Sequence, residues 1–393
     1  MLINEMKKIN IKKKKILIRL DLNVPIKNKK ITSHARIKAS IPTIKLALKN
    51  KAKIIIISHL GRPKEGKFKK KYSLLPIVKY LKKILYKTKI YFSKKINNKI
   101  KIKFGEILIL ENVRFNIGEY KNNIELSKKY ASLCEIFVMD AFGTSHRKEA
   151  STYGVGIYSK ITCAGPLFIS EIKSLKKSLK NPKRPLVTIL GGSKISTKFK
   201  ILKKLAKISD TVIVGGGIAN TFLSINNNVG KSIHEKNFIN LAQQLIKNYN
   251  IIIPKDLKVQ KKTSKKIIYL NKKYNNIKNN EEIMDIGEKS IKKAKKIIKK
   301  AKTIIWNGPI GVFENINFRK GTKKIAQFIS KNKTAFSLAG GGDTLSVIKM
   351  FNIKEKISYI STGGGAFLEF IEGKELPTIK MLKKRFILKK IKR

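Results

Sequence analysis

The stretch Ala52-Lys-Ile-Ile-Ile-Ile-Ser-His-Leu-Gly-Arg-Pro63 decides the fold. Its consecutive isoleucines turn apolar side chains to both faces of an extended chain, so the strand they form must be buried on both sides. Immediately after the run come a histidine, a glycine, an arginine and a proline, and then helical spacing over Tyr72–Leu85. Strand, polar loop and helix in that order make the unit of an α/β domain with a parallel sheet.

The unit recurs in both directions from there. In the first half the apolar runs are Ile16–Leu20, Ala52–Ile57, Lys89–Phe92, Glu106–Leu110 and Ile136–Met139. In the second they are Leu186–Leu190, Thr211–Val214, Ile251–Ile253, Thr303–Trp306, Thr334–Leu338 and Ile357–Ile360. Helical spacing fills the gaps, as in Ser290–Lys300. Two such sets predict an α/β chain of two Rossmann-like domains with mostly parallel sheets, 1–165 and 185–370. Breakers at Gly165–Pro166 and Pro182–Pro185 bound a segment, 166–184, in which Leu167, Ile169, Ile172, Leu175 and Leu179 recur at helical spacing. That segment reads as an inter-domain helix and hinge. The basic tail within 371–393 carries Ile379, Met381, Leu382 and Phe386, but its sequence does not say which domain it packs on.

Composition narrows the class. The 393 residues, 42% of them hydrophobic, suffice for two ordinary cores. Cys134 and Cys163 are too few for a disulfide framework, which points to a reducing, cytoplasmic setting. Met1–Lys15 has no apolar signal core, and no apolar run approaches the roughly 20 residues that span a bilayer. With 89 Lys+Arg against 24 Asp+Glu, the formal charge is +65. One reading is a polyanion binder; the other is compositional drift, since lysine, isoleucine and asparagine dominate nearly every surface-like stretch. The charge is spread along the whole chain and accompanies no RNA-binding, helix-turn-helix or zinc signature, which favours drift. Non-specific nucleic-acid adhesion at low salt is still expected, because phosphate contacts need only cations.

The unusual residues follow the predicted strands, where open α/β sheets bind their ligands. In the first half the loops carry Asp21 and Asn23, His59 and Arg62, Arg114, and Asp140 to Arg147 with His146; Arg36 falls in a further loop, Ser33–Ile37. In a chain that prefers lysine, arginines at Arg36, Arg62, Arg114 and Arg147 mark places needing a planar, bidentate donor for phosphate or carboxylate. The competing reading pairs each arginine with a local acid. Either histidine, taken alone, is equally a structural hydrogen-bonding group.

In the second half nearly every strand ends in glycines: Gly191–Gly192, Gly215–Gly217 with Gly216 at its centre, Gly308, Gly340–Gly342 and Gly363–Gly365 with Gly364 at its centre. Without a Cβ the backbone N–H groups can approach a phosphate, and a following helix N-terminus adds partial positive charge. Tight turns explain one or two such loops but poorly explain five. Asp343, directly after a triplet, suits Mg2+, a hard cation that prefers carboxylate oxygen. Lys194 and Lys198 follow Gly191–Gly192 at i and i+4, one face of a helix. Gly230-Lys-Ser232 imitates the end of a Walker A loop, but Ile225 stands where its first glycine belongs; Gly154-Val-Gly156 continues Ile-Tyr-Ser, so the dinucleotide fingerprint is missing too.

Together these segments resemble the phosphoglycerate kinase family along the whole chain. Asp21-Leu-Asn-Val-Pro25, Ser58-His-Leu-Gly-Arg-Pro63, Asp140-Ala-Phe-Gly-Thr-Ser-His-Arg147, Gly191-Gly-Ser-Lys-Ile-Ser-Thr-Lys198, Trp306-Asn-Gly-Pro-Ile-Gly-Val-Phe-Glu314, Gly340-Gly-Gly-Asp-Thr344 and Ser361-Thr-Gly-Gly-Gly-Ala366 look like its signature blocks, in its order. The resemblance implies reversible glycolytic phosphoryl transfer from 1,3-bisphosphoglycerate to MgADP, giving 3-phosphoglycerate and MgATP, in a monomer. It implies that Asp21, Asn23, Arg36, His59, Arg62, Arg114 and Arg147 hold the glycerate. Gly191, Gly192, Lys198, Gly216, Glu314 and Gly340–Thr344 would hold the nucleotide, with Glu314 at the ribose and Asp343 on Mg2+. Arg36, Lys194, Gly341, Gly342 and Gly364 would surround the moving phosphoryl group, and the tail would return to the N-terminal domain. Rival readings are a basic nucleic-acid-binding protein and another acyl-phosphate kinase.

The implied chemistry suits these residues. Both phosphoryl acceptors, a carboxylate and an ADP β-phosphate, are already anionic, so no general base is required. The barrier is the approach of anions, which cations and oriented N–H groups lower. The chain departs from the family pattern at Ser145, Lys148–Glu149, Tyr359 and Phe367. Phe367 is expected to crowd a glycine loop.

Overall fold

The computed structural model describes residues 2–28, 30–96, 102–193, 195–264 and 266–391, the side chains of 389–391 excepted. It separates into two compact units, Met1–Lys173 with Glu375–Arg393, and Ser174–Lys374.

The first unit is built on a six-stranded sheet in the order Ile90–Ser93, Ile107–Leu110, Lys53–Ile57, Lys15–Arg19, Ile136–Met139, Ile161–Ala164. Every neighbouring pair in it is parallel. Parallel strands need crossovers long enough to hold a helix, and helices such as Ala35–Lys49 and Leu75–Ile84 supply them. On one face Ile16, Ile18, Ile54 and Ile56 pack with Ile37, Ile44, Ile77 and Leu81 from those helices. The alternate residues, Leu17, Ile55 and Phe137, are buried as well. Double burial is what the unbroken apolar runs require, and each isoleucine so placed contributes about 1.5–3 kcal/mol.

The C-terminal helix Pro377–Ile391 belongs to this unit and lies against the strand Ile161–Ala164 and the turn Val155–Tyr158. Arg385 fastens it by donating to the Ser159 and Lys160 carbonyls, at 2.5 and 2.9 Å.

The second unit repeats the plan with the order Ile251–Ile252, Thr211–Val214, Leu186–Leu190, Thr303–Asn307, Phe336–Ala339, Tyr359–Ile360, again parallel throughout. Val187, Ile189, Ile304 and Trp306 pack on one face against Ile291, Ile298, Ile325 and Val347 from three helices. Added to it is an antiparallel sheet, Ile267–Lys273, Asp256–Lys262, Glu281–Ile286, with its own small cluster of Leu257, Val259, Leu223 and Val229.

Two features differ from the sequence expectation. The strand Ile161–Ala164 and the antiparallel sheet were not anticipated. The first is short and half polar; the edge strand Ile267–Lys273 has Ile267 and Tyr269 on its exposed side and Lys272 on the other, so no apolar–polar alternation shows. The helix over Pro166–Leu179 was anticipated. No helix among the described residues is long and apolar enough to cross a membrane.

Candidate active site

All strands of a parallel sheet end on one edge, so the loops after them share that edge. In the first unit this brings residues 21–23, 58–63, 111–115 and 140–149 together. Asp21 Oδ1 accepts from the Asn23 amide at 3.2 Å and from Arg36 Nη1 at 3.3 Å; Arg36 Nη1 also donates to the Asn23 carbonyl at 2.8 Å. Asn23 Oδ1 accepts from the Gly61 amide at 2.9 Å, tying the first loop to the second. Arg36 is not in a loop as expected: it lies in the first turn of the helix Ala35–Lys49, whose backbone fixes its direction.

Arg114 is buried. It donates from Nη1 to the Gly61 carbonyl at 2.7 Å and from Nη2 to Glu149 Oε1 at 2.8 Å. Arg147 Nη1 stands 3.9 Å from the same carboxylate oxygen. Glu149, read from the sequence only as a departure, is therefore the acid shared by two site arginines. Tyr120 lays its ring against the Arg114 guanidinium, 5.1 Å away, and donates its hydroxyl to the Pro63 carbonyl at 3.1 Å. Arg62 is exposed and makes no ion pair among the described residues. The local-acid reading thus holds for Arg36, Arg114 and Arg147 and does not account for Arg62.

His59 is buried, 3% exposed, and its Nδ1 lies 3.2 Å from Arg19 Nη2. Burial, then the charges of Arg19, Arg114, Arg147 and Arg36, hold its pKa well below the ordinary histidine value. It is a neutral ring at physiological pH, unsuited to act as a cation. Asp140, in the next loop, is buried and accepts from Thr43 and from the Phe168 amide, so it caps the helix Pro166–Leu179 from outside. Burial pushes its pKa up to about 7.

The second unit gathers its glycines on the equivalent edge. Gly191 donates to the Asn307 carbonyl at 3.0 Å, and Gly216 to the Ile310 carbonyl at 2.7 Å. A Cβ at Gly191 would collide with the Pro309 carbonyl, so only glycine lets these loops approach so closely. Thr344 Oγ1 accepts from the Gly308 amide at 2.7 Å and donates to the Gly340 carbonyl at 2.8 Å. Asn307 Nδ2 donates to the same carbonyl at 2.7 Å. Gly341 has φ 100°, a turn that throws the chain directly into the helix Gly342–Met350, with Asp343 exposed in its first turn. Gly364, with φ 49°, does the same for Gly365–Ile371, and a Cβ there would meet open space.

Lys198 Nζ donates to the Gly191 carbonyl at 2.5 Å. Burial lowers its pKa to about 8, against the opposing pull of Asp343. Phe367 is buried with its ring where a Cβ on Gly340 would sit, so it packs beneath that glycine loop. Glu314 is exposed, and its backbone carbonyl accepts from Arg319 Nη2 at 2.8 Å. Lys194 lies outside the described residues.

Three residues of these clusters escaped the sequence reading: Arg19, Glu149 and Asn307. Arg19 carried a usable signal, an arginine ending an apolar run in a chain that prefers lysine. Asn307 lay inside the block Trp306–Glu314 and Glu149 was noted as a departure, but neither was given a role, since their roles come from partners far along the chain.

Comparison with known proteins agrees with this geometry. The family model described as phosphoglycerate kinase matches residues 6–374. A phosphoglycerate kinase of Buchnera aphidicola subsp. Schizaphis graminum is 65% identical over 385 residues, 98% of this chain and 99% of that one. One from Haemophilus influenzae strain PittGG is 53% identical over 373 residues, 95% and 96% of the two chains. The solved structure of phosphoglycerate kinase from Coxiella burnetii superposes with TM-score 0.90 at 46% identity, covering 98% of this chain and 99% of that one. Fold, strand-edge clusters and end-to-end similarity converge: the chain belongs to the phosphoglycerate kinase family.

Proposed function

We propose that this chain transfers a phosphoryl group reversibly from 1,3-bisphosphoglycerate to MgADP, giving 3-phosphoglycerate and MgATP. Family membership makes it a phosphotransferase with a carboxyl acceptor. The assignment of residues to ligands is our reading. Asp21, Asn23, Arg36, His59, Arg62, Arg114 and Arg147 hold the glycerate. Gly191, Gly192, Lys198, Gly216, Glu314 and Gly340–Thr344 hold the nucleotide. Arg36, Lys194, Gly341, Gly342 and Gly364 surround the transferring group.

The observation that carries the assignment is chemical segregation. The strand-end loops of the first unit carry three arginines and a neutral histidine, and Arg36 joins them from the first turn of the helix Ala35–Lys49. Those of the second place glycine amides, a lysine and an acid. A phosphorylated carboxylate suits the first set, because planar guanidinium forks match its oxygens. A polyphosphate suits the second, because amides at glycine turns and helix N-termini carry partial positive charge.

The fit to Mg2+ rests on Asp343, an exposed carboxylate at the start of a helix beside Lys198. Among the described residues no group of three or more His, Cys, Asp or Glu could cage a metal. That is the arrangement Mg2+ takes when substrate phosphates and water supply its other oxygens. Bound there, it would neutralise charge developing between the β- and γ-phosphates. Arg36 and Lys194 offset charge on the moving group, and Gly341, Gly342 and Gly364 leave their amides free to approach it. In-line transfer needs the two reacting oxygens to meet in a dry site, a task we assign to bending at residues 166–184. A coupled assay of ATP formation from 1,3-bisphosphoglycerate, MgADP and folded protein tests the reading; absence of turnover overturns it.

A further inference from the structure

Arg19 ends the central strand Lys15–Arg19 and stands in register with Ile57 and Met139 on the neighbouring strands. Its side chain is wholly buried. A guanidinium withdrawn from water costs several kcal/mol unless its N–H groups are met. Here Nε donates to Ser151 Oγ at 3.0 Å, Nη1 to the Leu20 carbonyl at 2.5 Å, and Nη2 points at His59 Nδ1 from 3.2 Å. Behind Ser151 stands Glu119, also fully buried, accepting from the Ser151 hydroxyl at 2.5 Å and its amide at 3.1 Å.

A guanidinium has N–H donors and no lone pair. His59 Nδ1 must therefore accept, and its proton must sit on Nε2. A second proton on Nδ1 would face the guanidinium directly. We propose that Arg19, held by Ser151 and Glu119, is a positioning residue that fixes His59 as a neutral Nε2–H donor to an anionic substrate oxygen. The proposal rests on the assignment of His59 to the glycerate.

The surroundings of the ring support it. Besides Arg19 on the central strand, Arg36 faces it from the helix Ala35–Lys49, and Arg114 and Arg147 from the two later loops. Asp21 and Glu149 are the acids paired with those arginines. Burial and the four cations all oppose a charged imidazole. His59 accordingly offers the substrate a hydrogen bond whose strength does not change across neutral pH, where an unrestrained histidine would titrate.

Nitrogen-15 NMR of the full chain reads the ring directly, with the His59 signals assigned by their loss in His59→Ala. The expected spectrum has an unprotonated Nδ1, a protonated Nε2 and no titration from about pH 5.5 to 8, an interval spanning the free histidine value. A proton on Nδ1, or a titration near that free value, would overturn the proposal. The paired variant Arg19→Gln with Glu119→Gln removes the guanidinium together with the acid behind it, whose pKa burial raises to about 8, and leaves amides that can donate or accept. In it Nδ1 loses the donor that obliges it to accept, so an Nδ1–H population absent from the parent should appear while burial and the three remaining arginines keep the ring neutral, and KM for 3-phosphoglycerate should rise because that tautomer cannot donate from Nε2. An unchanged ring in a folded pair variant also overturns it. If the pair does not fold, the parent spectrum still decides. Ring states are read without substrate, so a wrong substrate assignment shows as absent turnover and a wrong role for Arg19 shows in the spectrum.

Discussion

Arg114 and Glu149 form an ion pair at 2.8 Å in which the side chains are only 3% and 5% exposed. The same carboxylate oxygen faces Arg147 at 3.9 Å, so one acid orients two of the cations assigned to the glycerate. Removing it leaves a buried guanidinium without its partner. Glu149→Ala should therefore cost about 3–5 kcal/mol of stability, read from urea unfolding of the first unit's signals. Glu149→Gln, which keeps the shape, should lose less stability and raise KM for 3-phosphoglycerate more than it lowers kcat. A loss under about 1 kcal/mol in the alanine variant would contradict the pair's structural role.

Arg36 donates from one nitrogen, Nη1, to both Asp21 Oδ1 and the Asn23 carbonyl, which fixes the orientation of its guanidinium. Arg36→Lys keeps the charge and loses the fork. A lost charge-assisted hydrogen bond of about 1.5–3 kcal/mol corresponds to roughly a 10- to 100-fold fall in kcat/KM. Near-normal steady-state rates would reject Arg36 as a contact to the transferring group.

Lys194→Ala should lower kcat by roughly 100-fold or more with little change in nucleotide Kd, because a group that stabilises only the transition state leaves ground-state binding intact. Calorimetry with MgADP beside the coupled assay separates the two. Equal losses in kcat and affinity would make Lys194 a binding residue.

Gly340 and Phe367 share one volume: a Cβ on the glycine would come within 2.6 Å of the ring. Gly340→Ala should cost about 1–3 kcal/mol through overpacking and weaken nucleotide binding. Trimming the ring in the same chain, Gly340→Ala with Phe367→Leu, should recover part of the loss. Strict additivity of the two substitutions in thermal unfolding would show that they do not meet.

Asp140 and Asp285 are both buried carboxyls whose pKa burial raises from 3.8 to about 7. Such a group holds its proton in the folded chain and gives it up in the unfolded one. Its contribution to stability is full below about pH 4 and is lost as pH rises through about 7. Stability should therefore fall between pH 5 and 7, by at most about 1.4 kcal/mol per pH unit for each group. Asp140→Asn can still accept from the Phe168 amide and meet the Thr43 hydroxyl, and it should flatten this slope. Urea midpoints at four pH values would show it; a slope unchanged in the variant would mean Asp140 is ionised in the folded chain.

How much of this was legible varied with the kind of signal. Strands such as Ile136–Met139 and Leu186–Leu190 were readable because double burial leaves an unbroken apolar run. The strand Ile267–Lys273 was not, because Ile267 and Tyr269 face outward and Lys272 does not, which erases the apolar–polar alternation of a half-buried strand. The loop arginines stood out against that background, whereas Arg19 passed as part of an apolar run. Glu149 drew notice only for differing from the family pattern.

From its sequence alone the chain's layout followed: two sets of parallel strands, a helix after Gly165, and cationic and glycine-rich loops at the strand ends. These are local properties, set by side-chain periodicity and by residues that permit or forbid a turn. Only the tertiary structure decided which acid each arginine faces, which cation meets His59 Nδ1, and that Asp140 caps the helix Pro166–Leu179. Those depend on desolvation and on hydrogen bonds between residues far apart in the chain, such as Arg19 and Ser151, which come together only when the sheet is packed.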